Sequence, residues 1–390
     1  MNQAFFALVN AGLWEKEVRL EPYGAVDFSD IYRLACEQQV VGLVAAGIEH
    51  VVDTQVGGET LALFESYAHK LEQRNQAMNQ FIARLYRVFN RNNVPVILVK
   101  GQGIAQCYER PLWRAIGDID LLIDKEHYKN AKTNMMAKAD SVNEEDDRRL
   151  HVALVMGPWV VELHGTLNHK FLTRVNRVLG EVQNEVHQHN AVRLWNVAQS
   201  ESRGSMLTMP SQSNVTEGNN EGVDIPLPAY DEDVIFIFSH ILEHFFGKGV
   251  GLRQICDWCR LLYTYRDFID RRLLEERLRR MGIMSEWKAF AAFAVENLDM
   301  PHEFMPLYST DRKWSRKAGK IKYFILKYGN LGHNRDMSYI FKASFLKKKA
   351  ISLRDRIDVS LRLLRIFPKD TLIVWHNKTL DSVSRAARGV

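Results

Sequence analysis

Hydrophobic positions recur at three- and four-residue steps over residues 59–91, where Phe64, Ala68 and Leu71 begin a stripe that continues to Phe89. This spacing places the apolar side chains on one face of a helix. Similar patterns predict helices over 30–49, 127–138, 234–246, 252–265, 268–281 and 285–298, with further helices around 317–328 and 351–366. The chain is therefore expected to be helical on both sides of a shorter central region.

Short β-branched or alternating runs in the centre of the chain predict four strands, at 94–99 (VPVILV), 118–123 (DIDLLI), 152–156 and 159–164. The last two strands are separated only by Gly157-Pro158, which predicts an antiparallel pair. A short helix at 104–108 follows the first strand, and a charged turn is expected at 143–149. The fold class is therefore predicted to be α+β, a small mixed sheet flanked by helices, with a largely helical C-terminal half.

Composition changes along the chain suggest how it is organised. Ser, Gln, Asn and Gly crowd residues 197–229, which predicts a long mobile loop. The predicted regions are an N-terminal helical region at 1–93, an α/β core at 94–180, a flexible loop or insertion at 181–230, a helical region at 231–310 and a basic helical tail at 311–390.

The overall composition excludes several classes of protein. With 390 residues, 46% hydrophobic and 25% charged, the chain is neither wholly disordered nor a coiled coil. Four cysteines do not make a disulfide framework. No apolar run approaches the ~20 residues of a membrane span, and no basic residue leads the apolar start as in a secretory signal. A cytoplasmic protein is therefore expected.

The net charge of +5 hides an asymmetry between two parts of the chain. Residues 311–390 carry 20 Lys and Arg against 6 Asp and Glu, which leaves residues 1–310 with a net charge of −9. Such a basic tail suits RNA or another polyanion, or an anionic membrane surface. It equally suits simple packing against the acidic body, and the sequence leaves these three roles open.

A glycine-rich turn directly follows the first predicted strand and consists of Lys100, Gly101, Gln102 and Gly103. Glycines allow a backbone to approach a ligand closely, and free amide groups at a helix start favour phosphate oxygens. The turn is therefore a candidate phosphate-binding element.

Two carboxylates follow Gly117, at Asp118 and Asp120 in the second predicted strand. Side chains alternate along a strand, so both acids project from one face, where they repel each other unless a cation lies between them. Such hard oxygen ligands suit Mg²⁺. Glu162 and His164 share a face of a later strand, and Glu162 would complete a three-carboxylate cluster if the two strands are neighbours. His164 is expected to be a packed or supporting residue.

The combination of KGxG, RxxGDIDLLI and VELH resembles the nucleotidyltransferase superfamily of DNA polymerase β-like proteins. More narrowly, it is similar to an uncharacterised bacterial nucleotidyltransferase family with a Lys-Gly turn before a Gly-Asp-x-Asp strand. The resemblance covers about 30–265 and includes the helical stretch at 252–257 (LRQICD). It departs from the commoner Gly-Ser turn of the superfamily, because Gln102 follows Gly101 here.

The resemblance implies a nucleotidyltransferase-type sheet and assigns roles to the residues above. Asp118, Asp120 and Glu162 would bind the metal and act in catalysis. Residues 100–103 and Gly117 would contact the nucleotide, with Lys100 compensating for the missing hydroxyl. For Arg114, contact with the triphosphate and a salt bridge to the acidic cluster are both open.

The implied activity is Mg²⁺- or Mn²⁺-dependent transfer of a nucleoside monophosphate from an NTP to an unknown acceptor hydroxyl or phosphate. A non-catalytic, regulatory nucleotide-binding module is the alternative. A remoter alternative is a zinc peptidase, because His240, Glu243 and His244 match HxxEH. Cys256 and Cys259 lie inside a helical pattern and are expected to be core residues.

Overall fold

The computed structural model describes residues 2–188, 191–197, 222–247, 249–329, 354 and 357–386. The N-terminal half contains the helices α1 Asn2–Trp14, α2 Phe28–Gln38, α3 Val41–Glu49, α4 Gly58–Arg91, α5 Gly101–Ala105, α6 Lys125–Met136 and α7 Asn176–Gln188. The C-terminal half contains α8 Tyr230–Gly247, α9 Leu252–Thr264, α10 Arg271–Met281, α11 Met284–Asn297, α12 Arg312–Tyr328 and α13 Pro368–Ala386. The strands are β1 Val96–Val99, β2 Ile119–Ile123, β3 Ser141–Asp146, β4 His151–Met156, β5 Trp159–His164, β6 Val192–Asn196 and β7 Asp224–Pro228.

A five-stranded sheet with the order β1-β2-β5-β4-β3 forms the centre of the described chain. β2 and β5 run parallel, whereas the other neighbouring strands are antiparallel. A second sheet pairs β6 with β7. This mixed sheet surrounded by helices confirms the predicted α+β class.

The two faces of the five-stranded sheet have different neighbours. Leu98, Leu121 and Leu163 lie on the face that shares a core with α4 and α6. On the opposite face, Ile97 and Leu122 join the larger core formed by the helices from both ends of the chain. Because side chains alternate along each strand, the second face also carries the polar residues of β2 and β5.

Close helix packing explains two glycines near the N-terminus. A Cβ atom on Gly12 would lie 1.9 Å from the carbonyl oxygen of Leu43, and one on Gly47 would lie 1.9 Å from that of Leu8. The backbones of α1 and α3 therefore approach as closely as they do because neither glycine has a side chain.

Three local predictions were wrong. The predicted charged turn at 143–149 overlaps β3, an exposed edge strand that lacks apolar alternation because neither face is buried. The single helix predicted at 30–49 is two helices, separated at Gln39 by a left-handed backbone with φ of 56°. The short helix predicted at 104–108 begins earlier, at Gly101.

The N-terminus and residues 181–230 contain helices and strands that the hydrophobic pattern of the sequence did not predict. α1 is apolar almost throughout and largely buried, so it lacks the polar face that makes a helix recognisable. Within 181–230, α7 extends to Gln188, and β6 and β7 form a sheet. Residues 198–221, the centre of the predicted mobile loop, lie outside the described residues.

The described part of the basic tail packs on the helical body. Ile321 and Phe324 of α12 and Val374 of α13 are buried in its core. The amide of Asn377 donates to the carbonyl oxygen of Phe171 at 2.6 Å, which ties α13 to the loop after β5. Of the helix predicted at 351–366, residues 357–364 are helical, and residues 351–353 and 355–356 lie outside the described residues. No helix in the described ranges combines the length and apolarity needed to cross a membrane.

Candidate active site

A cavity of about 540 Å³ lies between the polar face of the sheet and helices α8 and α9. Its volume falls in the range of small-molecule sites. The sheet contributes Asp120, Glu162 and His164, while α8 and α9 contribute His240 and Arg253. The residues that form this one chamber therefore come from positions as far apart in sequence as Lys100 and Asp257.

The parallel pairing of β2 and β5 brings the predicted acids together. Asp120 lies directly opposite Glu162 in the register of these strands, and Leu122 lies opposite His164. Asp118 immediately precedes β2 and lines the same cavity. All three acids of the sequence-based prediction thus face one chamber.

Lys100 directly follows β1 and lies beside the acids. Its Nζ lies 2.6 Å from Oδ1 of Asp120. Burial alone would lower the pKa of Lys100, but the charges of Asp120 and Glu162 outweigh burial and raise the pKa above its usual value. The ammonium therefore stays charged and partly neutralises the acidic face.

The backbone at this turn is strained. Lys100 has a φ of +59°, which is uncommon for a residue with a side chain, and Gly101 follows with a φ of +41°. A Cβ atom on Gly101 would also approach the carbonyl oxygen of Asp118 to 3.3 Å. The turn thus holds Lys100 against the start of β2 at a conformational cost, as is common at functional sites.

Asp118 differs from the other two acids because it makes no hydrogen bond or ion pair with any side chain that the structure describes. Partial removal from water raises its pKa to about 6, and the negative charges of Asp120 and Glu162 contribute to this rise. An unpartnered carboxylate beside two others is a ready ligand for a cation.

His151, Glu162 and His164 form a compact group on β4 and β5. Nε2 of His151 and Nε2 of His164 each lie 3.4 Å from Oε2 of Glu162, and His164 also donates to Oδ1 of Asp120 at 2.9 Å. Burial would raise the pKa of Glu162, but the two imidazoles hold it well below its usual range. For His164, hydrogen bonds to Asp120 and Glu162 outweigh burial and raise the pKa.

His151 did not stand out in the sequence, although a signal for it exists. The turn at Gly157-Pro158 pairs Met156 with Trp159, and counting back along both strands pairs His151 with His164. The hairpin register alone therefore identifies this histidine, once the turn is placed.

Arg114 is buried and pairs with Asp257 of α9 rather than with the acids of β2 and β5. Its Nε and one terminal nitrogen each lie 2.7 Å from a carboxylate oxygen of Asp257. The hydroxyl of Tyr108 donates to the same carboxylate at 2.8 Å. This places Arg114 at the cavity wall, anchoring the loop before β2 to the helical half.

The side chain of Gln102 points away from the cavity. Its amide donates to the side-chain oxygens of Asn75 at 3.0 Å and Asn79 at 2.7 Å, both on α4. Gly103 is equally tied to packing, because a Cβ atom there would lie 2.8 Å from the side chain of Leu227. Of the turn 100–103, Lys100 and Gly101 line the cavity.

Arg253, which the sequence marked only as part of the LRQICD stretch of the family resemblance, supports the loop around Gly117. Its guanidinium donates to the carbonyl oxygens of Ala115 at 3.2 Å and Ile116 at 3.0 Å. A Cβ atom on Gly117 would lie 3.2 Å from this guanidinium. Burial lowers the pKa of Arg253 to about 10, so it remains charged at neutral pH.

The HxxEH residues of α8 form the wall opposite the sheet. Nε2 of His240 and Nε2 of His244 lie 2.9 Å apart, and burial lowers the pKa of His244 to about 4. Glu243 accepts a hydrogen bond from the backbone of Lys170 at 3.2 Å. Among the described residues, no third His, Cys, Asp or Glu joins His240 and His244 in a group with all ligand atoms within 4.8 Å.

Cys256 and Cys259 are both buried in α9. Burial raises the pKa of each thiol, so neither is a reactive thiolate. They are core residues, as the helical pattern predicted.

Comparison with known proteins now identifies the class. The sequence matches the family described as "Uncharacterised nucleotidyltransferase" over residues 24–299. This chain belongs to that nucleotidyltransferase family, which confirms the resemblance drawn from KGxG, GDID and VELH. No curated protein and no solved structure matches it significantly.

Proposed function

We propose that this protein transfers a nucleoside monophosphate from an NTP to the hydroxyl or phosphate oxygen of an acceptor, with release of pyrophosphate. The observation that carries the proposal is the placement of Asp118, Asp120 and Glu162 beside Lys100 in one cavity. Carboxylates for a divalent cation and a buried ammonium for phosphate are the groups that such a displacement needs.

The donor set fits the Mg²⁺ or Mn²⁺ that the family implies. Asp118 has no side-chain partner among the described residues, and Asp120 and Glu162 offer further hard oxygen ligands. Lys100 and His164 share the neutralisation of the Asp120 carboxylate. A bound divalent cation would draw negative charge from the phosphates during in-line displacement. Asp118, Asp120 and Glu162 are the residues that would hold it.

The other residues would position the nucleotide. Once a cation compensates Asp120, the ammonium of Lys100 is available to a phosphate oxygen, because its only ion pair among the described residues is with that carboxylate. Arg253 and Arg114 act indirectly, since their guanidinium groups hold the loop around Gly117. The second wall, with His240 and His244, leaves room for the acceptor, whose chemical class stays open.

The test is pyrophosphate release from each of the four NTPs with Mg²⁺ or Mn²⁺, using full-length protein and a cell extract as the source of acceptor. We expect Asp118→Asn to lower the rate by at least about 10²-fold, because an uncharged ligand binds the cation weakly. Asp147→Asn is the matched control, since this acid is exposed and lies outside the cavity.

Undiminished release by an Asp118→Asn/Asp120→Asn double variant would contradict the proposal. Nucleotide binding by the parent protein without any release would favour the regulatory alternative instead.

We also propose that the tail contacts an anionic membrane surface through α13. Its apolar side chains Leu372, Trp375, Leu380 and Val383 are 55–63% exposed. At 100° per residue they fall within an arc of about 140°, which makes one continuous apolar face. An apolar face with tryptophan on a basic segment suits a lipid surface better than RNA.

A further inference from the structure

The group of His151, Glu162 and His164 contains more imidazole than an oxygen-coordinated Mg²⁺ site requires. The two histidines face each other in the register of β4 and β5, and Glu162 lies on the same face two residues before His164. One ligand atom from each residue lies within 4.8 Å of the other two. Rigid strands, rather than loops, thus hold three potential metal ligands.

Two distances within this group match those of a coordination sphere. Bonds of about 2.0–2.1 Å in tetrahedral directions place neighbouring ligand atoms about 3.4 Å apart. Each histidine Nε2 lies 3.4 Å from Oε2 of Glu162. Glu162 and either histidine are therefore spaced as ligands of one ion, and the ligand atoms of the whole group lie within 4.8 Å of one another.

The donor types separate this position from that of the neighbouring acids. Imidazole nitrogen suits Zn²⁺ and other divalent transition metals, whereas carboxylate oxygens alone suit Mg²⁺. Asp118 is not part of the histidine group, and Lys100 is paired with Asp120. The polar face of the sheet thus has an oxygen-rich side at Asp118 and a nitrogen-rich side at His151.

We propose that His151, Glu162 and His164 bind a divalent transition-metal ion of the Zn²⁺ or Co²⁺ type, beside the oxygen-rich position of Asp118 and Asp120, with Glu162 common to both positions. Its purpose as a second ion in nucleotidyl transfer rests on the proposed function, but its existence rests on the ligand geometry. The ion binds without nucleotide, because all three ligands come from the protein.

A hydrogen-bond network without metal is the competing explanation. In that arrangement His164 bridges Asp120 and Glu162, and His151 donates to Glu162. The two explanations differ in one measurable respect. Only the metal site gives a tightly bound ion with nitrogen ligands in the absence of nucleotide.

The experiment uses metal-free, full-length protein titrated with Co²⁺, whose visible absorption intensifies when it leaves six-coordinate water for a site of low coordination number. We expect one equivalent to bind with this change, Zn²⁺ to displace it, and excess Mg²⁺ to leave it in place. His151→Gln and His164→Gln should each weaken Co²⁺ binding by about 100-fold or more, beyond the 10- to 100-fold typical of supporting residues.

Two controls accompany these variants. His187→Gln removes a histidine outside the cavity and should leave Co²⁺ binding unchanged. Asp118→Asn should change it less than about fivefold while reducing transfer, which separates the two positions. Circular dichroism verifies that each variant is folded.

Absorption no stronger than that of Co²⁺ in water, or equal Co²⁺ affinity in the parent protein and both histidine variants, would overturn the transition-metal site. The result is independent of the proposed function. Co²⁺ binding through both histidines without pyrophosphate release would support the transition-metal site and contradict the proposed transfer. Mg²⁺-dependent pyrophosphate release without Co²⁺ binding would support the transfer and contradict the transition-metal site.

Discussion

Arg114 and Asp257 form a buried, two-pronged ion pair, with both nitrogen–oxygen distances at 2.7 Å. The pair joins the loop before β2 to α9, across 143 positions of sequence. It therefore links the strand that carries Asp118 and Asp120 to the helical wall of the cavity.

Removing this arginine is expected to destabilise the protein. Arg114→Met leaves the carboxylate of Asp257 buried without its cation, which costs about 3–5 kcal/mol in the free energy of unfolding. Arg110→Met is the control, because its pairs with Glu15 and Glu49 are more exposed and are worth about 1 kcal/mol or less. Urea unfolding measures both, and equal costs would show that the Arg114 pair contributes no more than a surface pair.

The close contact between α1 and α3 predicts that any side chain at Gly47 destabilises the protein. Gly47→Ala forces a Cβ atom to within 1.9 Å of the carbonyl oxygen of Leu8, so the helices must separate at a cost of about 3 kcal/mol or more. Gly180→Ala, in α7, meets no atom within 4 Å and should raise stability by up to about 1 kcal/mol. Thermal or urea unfolding measures the stability of both variants. Equal stability of Gly47→Ala and Gly180→Ala would refute the close contact between α1 and α3.

A buried carboxyl pair predicts how stability depends on pH. Burial and the facing carboxyl of Asp370 raise the pKa of Glu286 from 4.5 to about 9. The folded state thus favours the protonated form, so this contribution to stability is complete below about pH 4.5 and is lost progressively as the pH rises to about 9. Glu286→Gln keeps a neutral side chain and should be more stable than the parent at pH 8, by on the order of 2 kcal/mol.

The measurement is urea unfolding at several pH values between 4 and 9. The advantage of Glu286→Gln should grow with pH and vanish near pH 4. Glu275→Gln, an exposed acid on α10, serves as the control. An advantage that does not change with pH would mean that Glu286 is ionised in the folded protein.

The tail predicts binding to anionic vesicles in a sedimentation assay. Leu372→Ser/Trp375→Ser should weaken the binding of the full-length protein by about tenfold, because burying such side chains contributes about 1.5–3 kcal/mol each when complete. Phe268→Ser is the matched control, since Phe268 is 63% exposed but lies outside the tail. Equal binding to neutral vesicles, or retention of tRNA but not of vesicles, would contradict the proposed membrane contact.

Local patterns in the sequence were sufficient for the elements that carry the site. The 34-residue helix α4 follows from its apolar spacing, and β1, β2 and the β4–β5 hairpin follow from alternation and turn residues. The alternation also predicted that Asp118 and Asp120 share a face, because a strand has a period of two whatever its surroundings. The family resemblance rested on these same short segments.

Only the tertiary structure decided which elements became neighbours. Alternation predicts that Glu162 and His164 share one face of β5, but it does not predict that β5 pairs in parallel with β2. No local signal pairs Arg114 with Asp257 or places α8 over the sheet. The sequence did not reveal β3 or α1, because neither has a periodic pattern of apolar and polar residues. β3 is an edge strand that is exposed almost throughout, whereas α1 is apolar and buried almost throughout. The period of apolar residues indicates which face of a helix or strand is buried. Which other element covers that face depends on the packing of the whole chain.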